Sequence, residues 1–180
     1  ADALSAVTRR VADEGGTPLD RLVQATLEAI PAARAVSLTV LEHGGFSTEA
    51  WTDELARRAD VLQYELGCGP CVDAVLENTA NLSGDVSTDP RWVEWGSRVA
   101  AEVGVHSVLA YRLVMEGDQQ AIASLNLYAQ EVDAFDEQAL HLGVVLATHG
   151  SLLMTAVMAR DLVTNLVARL QGNREVGIAM

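Results

Sequence analysis

From Asp136 to about Leu170 the chain carries no proline, and apolar residues recur throughout. Asp136 suits a helix N-cap, and Glu137 places a negative charge in the first turn. Read as a heptad seam, positions 142, 145, 149, 152, 156, 159, 163, 166 and 170 are Leu, Val, His, Leu, Ala, Ala, Val, Leu and Leu. Only His149 is polar, which suits an interface or core position better than an isolated ligand. Before Met158 the stripe is wide, adding Leu146, Leu153 and Val157, as a helix packed on a sheet requires. After it the stripe narrows to Leu162, Val163, Leu166, Val167 and Leu170, closer to a two-helix seam. A helix of about 35 residues runs about 50 Å, further than a domain of this size is wide. The rest of the chain must therefore fold against one half of it. The other half is expected to leave the domain and pair with its own copy in a homodimer.

With 180 residues, 49% of them hydrophobic and 21% charged, the chain has an ordinary globular composition and enough length for one core. All 12 basic residues are Arg, against 25 acidic ones, for a net charge of -13. The absence of Lys excludes Schiff-base chemistry and a P-loop lysine. The acidity argues against a broad basic face for nucleic acid. No uninterrupted apolar run approaches the roughly 20 residues of a membrane span, and there is no basic-plus-apolar leader. Two cysteines make no secreted disulfide framework. The expected location is the cytoplasm, with no membrane partner.

Helices are predicted over residues 3–13 and, with Thr17 as cap and Pro18 in the first turn, from 18 to Ile30 before Pro31. Between Ala35 and Glu42 the period becomes two: Val36, Leu38 and Val40 face one way, Ser37 and Thr39 the other. Gly44-Gly45 reads as a turn into a strand at 46–51, followed by an irregular helix over 53–66 and a break at Gly67-Cys68-Gly69-Pro70. A short helix from Pro70 to Asn78, a strand at 82–86 and a helix at 91–102 after Asp89-Pro90 follow. Strands are expected at 105–114 and 121–128, turning at Glu116-Gly117-Asp118. In the second of these, Ser124, Asn126 and Tyr128 lie opposite Ala123, Leu125 and Leu127, a polar face that a bound ligand could cover.

Cys68-Gly69-Pro70-Cys71 is, as a string, the signature of thioredoxins, in which a helix N-terminus lowers the thiol pKa. Gly67 in front of it and the missing βαβ order favour a turn that carries two cysteines, with a regulatory dithiol as the alternative. His141 and His149 are eight residues apart on one helix, about 12 Å in rise, so no metal site is expected. Trp92 and Trp95 share a helix face, as core or pocket wall. Arg98 and Arg112 could meet either an anionic ligand or the abundant carboxylates. No nucleophile elbow, His-Glu-x-x-His or convincing carboxylate pair is present, and no enzyme activity is expected.

Residues 62–74 (Leu-Gln-Tyr-Glu-Leu-Gly-Cys-Gly-Pro-Cys-Val-Asp-Ala), Thr88-Asp89-Pro90-Arg91-Trp92, Ser107-Val108-Leu109 and Ser124-Leu125-Asn126-Leu127-Tyr128, in this order of elements, resemble a GAF domain, a small-molecule sensor module. They are most similar to the actinobacterial GAF proteins that carry a C-terminal ANTAR domain, the RNA-binding module of transcription antiterminators. Cys68 departs from that group, where the position is usually acidic. Residues 170–180 resemble the opening of an ANTAR domain. The resemblance implies an N-terminal helix at 1–17, a GAF domain at 18–160, and at 161–180 a linker helix with the beginning of a truncated ANTAR domain.

It further implies an α+β fold: an antiparallel five- or six-stranded sheet, N- and C-terminal helices on one face, and a long C-terminal signalling helix. Ser37, Thr39, Ser124, Asn126 and Tyr128 would line the ligand site, with Cys68, Cys71, Trp92 and Trp95 on segments that could close it. The cyclic-nucleotide GAF signature requires a Lys, and of that motif only Phe135-Asp136-Glu137 is present; no haem, bilin or other cofactor is expected. The implied function is a non-enzymatic sensor of an unknown small molecule, or of redox state, reaching RNA only through the missing C-terminal part. Two alternatives remain: a thiol oxidoreductase of GAF fold, methionine sulfoxide reductase-like, using Cys68 and Cys71, or a ligand-free dimerisation module.

Overall fold

The computed structural model describes residues 16–77, 80–114 and 121–176. The helix predicted at 3–13 and the turn at 116–118 lie outside them. Helix α1 (Pro18–Ala29) begins at a reciprocal capping box. Thr17 Oγ1 accepts the Asp20 N–H at 3.1 Å, and Asp20 Oδ2 accepts the Thr17 N–H at 2.9 Å. Strands β1 (Ala35–Glu42) and β2 (Gly45–Trp51) form a hairpin, followed by α2 (Glu54–Leu66), α3 (Pro70–Glu77), β3 (Ala80–Ser83) and α4 (Val93–Val103). Then come β4 (Ser107–Leu113), β5 (Ala121–Ala129) and the 40-residue α5 (Glu137–Val176). Helix α4 starts two residues later than its spacing predicts, because Asp89 Oδ1 accepts the Arg91 backbone N–H at 3.0 Å and holds the chain in a turn. The strand expected at 82–86 lies earlier, at 80–83.

The strands form one five-stranded sheet of order β2-β1-β5-β4-β3, antiparallel throughout. Its centre is the β1–β5 ladder, which pairs Val36 with Leu127, Leu38 with Leu125, Ser37 with Asn126 and Thr39 with Ser124. Because side chains alternate, this register puts the apolar residues of both strands on one face and the polar ones on the other. On the apolar face Val36, Leu38, Leu109, Leu113, Leu125 and Leu127 pack against Leu22, Val23 and Ile30 of α1 and against Leu146, Ala147 and Met154 of α5. Helices α2, α3 and α4 cover the other face. The fold is α+β, as the resemblance implies.

Two glycines set the approach of α5 to the sheet. A Cβ on Gly143 would lie 2.4 Å from the Tyr111 ring, whose hydroxyl donates to the Leu140 carbonyl at 2.8 Å. A Cβ on Gly150 would meet only the side-chain ends of Leu22 and Leu113, at 3.2 and 3.3 Å. From Ala159 to Arg169 every residue of α5 is exposed, including Leu162 (62%), Val163 (60%) and Leu166 (50%). Forty residues span roughly 60 Å, so this end stands clear of the sheet.

Between Glu137 and Arg169 the helix is also apolar and long enough to cross a membrane, by length and composition only. Counting uninterrupted apolar runs misses this, because Gly143, Thr148, His149, Gly150 and Ser151 interrupt the run without adding charge. In the folded chain, part of that apolar surface covers the sheet.

The glycines give a paired prediction. Ala is favoured over Gly by about 1 kcal/mol in a helix interior, while overpacking against a rigid ring costs about 1–3 kcal/mol. Gly143→Ala should therefore lower the thermal midpoint, and Gly150→Ala should leave it unchanged or raise it. Calorimetry of the two variants checks this; equal shifts would disprove the Tyr111 contact.

Candidate functional site: a buried polar face

The site is built where α2 crosses the polar face of β1 and β5. Asp53 Oδ1 caps α2 by accepting the Leu55 N–H at 2.9 Å, and Gly67, at φ 64°, ends it. The buried positions of α2 are Ala56, Ala59, Asp60, Leu62 and Gln63, so two polar side chains sit within its inward stripe. Ala56 and Ala59 let the helix approach closely, and Asp60 reaches the sheet.

Asp60 is fully buried and accepts from neutral donors. Tyr128 OH donates to Oδ1 at 2.5 Å, Asn126 Nδ2 to Oδ1 at 3.4 Å, and Thr48 Oγ1 to Oδ2 at 2.9 Å. Asn126 Nδ2 also reaches Thr39 Oγ1 at 3.1 Å and Ser37 Oγ at 3.3 Å, while its Oδ1 accepts from Ser124 Oγ at 2.5 Å. The Tyr64 hydroxyl lies 2.8 Å from the hydroxyls of both Thr39 and Thr48. Burial raises the Asp60 pKa from 3.8 to about 6, against the hydrogen bonds of Tyr128, Ser37, Thr48 and Asn126, which lower it. Near neutral pH the site therefore holds a negative charge solvated by hydroxyls and an amide, with no described guanidinium within bonding distance.

The Gly-x-Gly-Pro corner closes this site. Gly69, at φ 141°, leaves room for Gln63, whose side chain would stand 2.4 Å from a Cβ there. Gln63 Oε1 accepts the Cys71 N–H at 2.8 Å, and its Nε2 donates to Tyr128 OH at 2.9 Å. Pro70 then opens α3 in the position its fixed φ favours. The buried Cys71 thiol turns toward Thr39, Asn126 and Ser124; burial and then the Asp60 charge push its pKa up to about 12. The partly exposed Cys68 thiol is raised as well, by burial and by Glu94 and Asp73. Both thiols are thus protonated at rest and free of a disulfide, the reverse of the activated thiolate that a thioredoxin-like reading requires.

Of the nine residues expected to line a ligand, six therefore meet in one cluster: Ser37, Thr39, Cys71, Ser124, Asn126 and Tyr128. Cys68 lies at the corner beside it. Trp92 and Trp95 stand edge to face at 6.5 Å in the hydrophobic core beneath α4, a cluster that also includes Tyr128. Their indole N–H groups are engaged, by Asp73 Oδ2 at 2.6 Å and the Ala59 carbonyl at 3.2 Å. Sequence reasoning missed Thr48, Asp60, Gln63 and Tyr64. The signal for two of them was the 56, 59, 60, 63 spacing on α2, with Asp and Gln inside a stripe that otherwise reads as apolar. Among the described residues no group of His, Cys, Asp or Glu is arranged to hold a metal ion.

A sheet of this order, with terminal helices on one face and short helices enclosing a polar cluster on the other, defines the class of small sensory α+β domains. The GAF domain family model matches residues 16–155, so the chain belongs to the GAF family. Among solved structures, the fold is similar to the GAF domain of a phosphoenolpyruvate-protein phosphotransferase from Coxiella burnetii, at TM-score 0.66 and 20% identity over 89% of this chain and 95% of that one. It is also similar to the type II free methionine-R-sulfoxide reductase of Thermoplasma acidophilum, at 0.59 and 23%, covering 74% of this chain and 87% of that one. The enzyme of Neisseria meningitidis, solved with its substrate, compares at 0.58 and 21%, covering 81% of each chain. No curated protein matches the chain in sequence. The reductases correct one expectation. The fold is shared by enzymes, so the missing hydrolase and protease motifs do not make this chain a non-enzyme.

The buried carboxylate predicts a pH dependence. The folded state holds the Asp60 proton more tightly than the unfolded state. Its contribution is therefore full below pH 4 and is lost as the pH rises through about 6. Moving the carboxyl from 3.8 to about 6 corresponds to roughly 3 kcal/mol. Denaturant unfolding at intervals from pH 4 to 7.5 should show wild type losing stability relative to Asp60→Asn across that range; a constant difference would contradict the raised pKa.

Proposed function

We propose that the chain is the sensory half of a cytoplasmic regulator, in which a small molecule or a redox change at the polar face of the sheet is passed to α5. In this reading α5 pairs with its copy in a homodimer and controls an RNA-binding ANTAR antitermination output of actinobacterial type. The observation that carries it is α5 itself. One continuous helix packs its first half on the sheet of the sensing domain and exposes Leu162, Val163, Leu166 and Val167 beyond it. Such a stripe buries about 1.5–3 kcal/mol per Leu when it meets a partner helix. The resemblance of residues 170–180 to the opening of an ANTAR domain supports the nature of the output. Ser37, Thr39, Cys71, Ser124, Asn126 and Tyr128 are the proposed ligand contacts, with Cys68, Trp92 and Trp95 in the segments that close over them. Coupling then requires a ligand that binds one arrangement of α5 better than another.

Sedimentation equilibrium tests the dimer. Leu162→Lys with Leu166→Lys should weaken self-association by roughly a hundredfold or more, and unchanged circular dichroism should accompany the loss. A wild-type chain that stays monomeric at micromolar concentration would sink the reading.

A second reading, a thiol oxidoreductase of the same fold, is favoured by the placement of the Cys71 thiol within the polar cluster. It predicts turnover of free methionine sulfoxide with a dithiol donor, abolished by Cys68→Ser or Cys71→Ser. Absence of turnover in wild type removes it.

A further inference from the structure

Arg112 stands apart from the other basic residues of the polar region. It pairs with Ser124 across β4 and β5, so its side chain leaves the sheet on the face that carries Ser124, Asn126 and Tyr128. Its Nη1 donates at 2.8 Å to the carbonyl of Val75, in the last turn of α3. That turn has no basic residue of its own, and its carbonyls lack partners within the helix. One arm of the guanidinium thus caps α3. Nε, on the opposite edge, is buried and meets no acceptor among the described residues, and Arg112 makes no ion pair with a described residue, although the chain has 25 acidic side chains. A buried donor on a charged group without an acceptor is costly, and its presence calls for an explanation.

The Nε/Nη2 edge is the planar fork that binds two oxygens of one oxyanion. The neighbouring side chains do not oppose such a ligand: at the cross-strand position Ser124 gives its proton to Asn126 Oδ1, and the single described carboxylate of the cluster, Asp60, lies beyond Asn126 and is held by its own donors. The residue as a whole is partly exposed, while its Nε is shielded from solvent. We propose that Arg112 reads an oxyanion, so that the ligand of this face is a small molecule bearing a carboxylate or a phosphate. This rests on the reading of the polar face as the ligand-facing surface. Arg98, the other arginine singled out by the sequence, is already held by Glu102 at 2.8 Å, and serves as a control.

The test is an NMR titration of the full chain with inorganic phosphate and, separately, with acetate, following the Arg112 Nε–H resonance and the Ser124 amide. A saturable shift of both is expected with at least one ion; phosphate alone or acetate alone identifies the head group. Arg112→Gln should weaken the binding seen at Ser124 by about tenfold or more, and Arg98→Gln should not. If neither ion saturates Arg112 in wild type, or if Arg98→Gln abolishes the effect equally, the proposal fails. Saturation that leaves the oligomeric state unchanged would uphold the anion site while counting against signalling through α5. A dimer that responds to other molecules, with a silent Arg112, would do the opposite.

Discussion

The pairing of β1 with β5 is the constraint from which the rest of the domain follows. Each strand alternates apolar and polar residues, and their antiparallel register aligns the two alternations so that Leu38 meets Leu125 while Thr39 meets Ser124. A slip of one residue would bring polar side chains under α1 and α5 and destroy both faces together. With the register held, the apolar face recruits the two terminal helices by burial. The polar face cannot be left dry and unpaired, because each unsatisfied buried group costs about 1–3 kcal/mol. Helix α2 resolves this by carrying polar side chains inward.

That solution has its own consequence. Asp60 brings a charge into a region where burial disfavours it, and hydroxyl and amide donors from β1, β2 and β5 only partly offset the cost. Networks of this kind specify one arrangement when every member is satisfied, since each alternative packing strands a donor or an acceptor. The same cluster holds Cys71 protonated and fixes the corner at Gly69 through Gln63. Structural order and candidate ligand chemistry are therefore properties of a single set of side chains. Arg112 differs from the others in having a buried Nε that meets no acceptor among the described residues.

Helix α5 packs on the face of the sheet opposite this cluster. Gly143 brings it against Tyr111, a residue on the apolar side of β4, whereas the polar cluster occupies the reverse side of the same sheet. A rearrangement on the polar face can reach α5 through the strands, chiefly β4, or through α1, which packs on both the β1–β2 hairpin and α5. The GAF fold thus places α5 one sheet thickness from the polar cluster.

Much of this was legible in local pattern. The capping box at Thr17, the alternation in β1 and β5, Pro70 at the head of α3 and the long proline-free helix are all short-range chemistry. They determined the elements, the GAF resemblance and the five polar strand residues on one face. Periodicity places a side chain on a face without saying what covers it, so Asp60, Gln63 and Tyr64 went unnoticed on a helix that read as irregular. Trp92 and Trp95, which their shared helix face suits to a core before a pocket, were placed in the core by packing. By itself, then, the sequence determined which residues share a face and that one helix must outrun its domain. Only the tertiary structure decided that Asp60 would be buried among neutral donors, that Cys71 would turn toward them, and that the Arg112 Nε would be buried without a described acceptor. Those outcomes depend on contacts between residues dozens of positions apart, which no local period encodes.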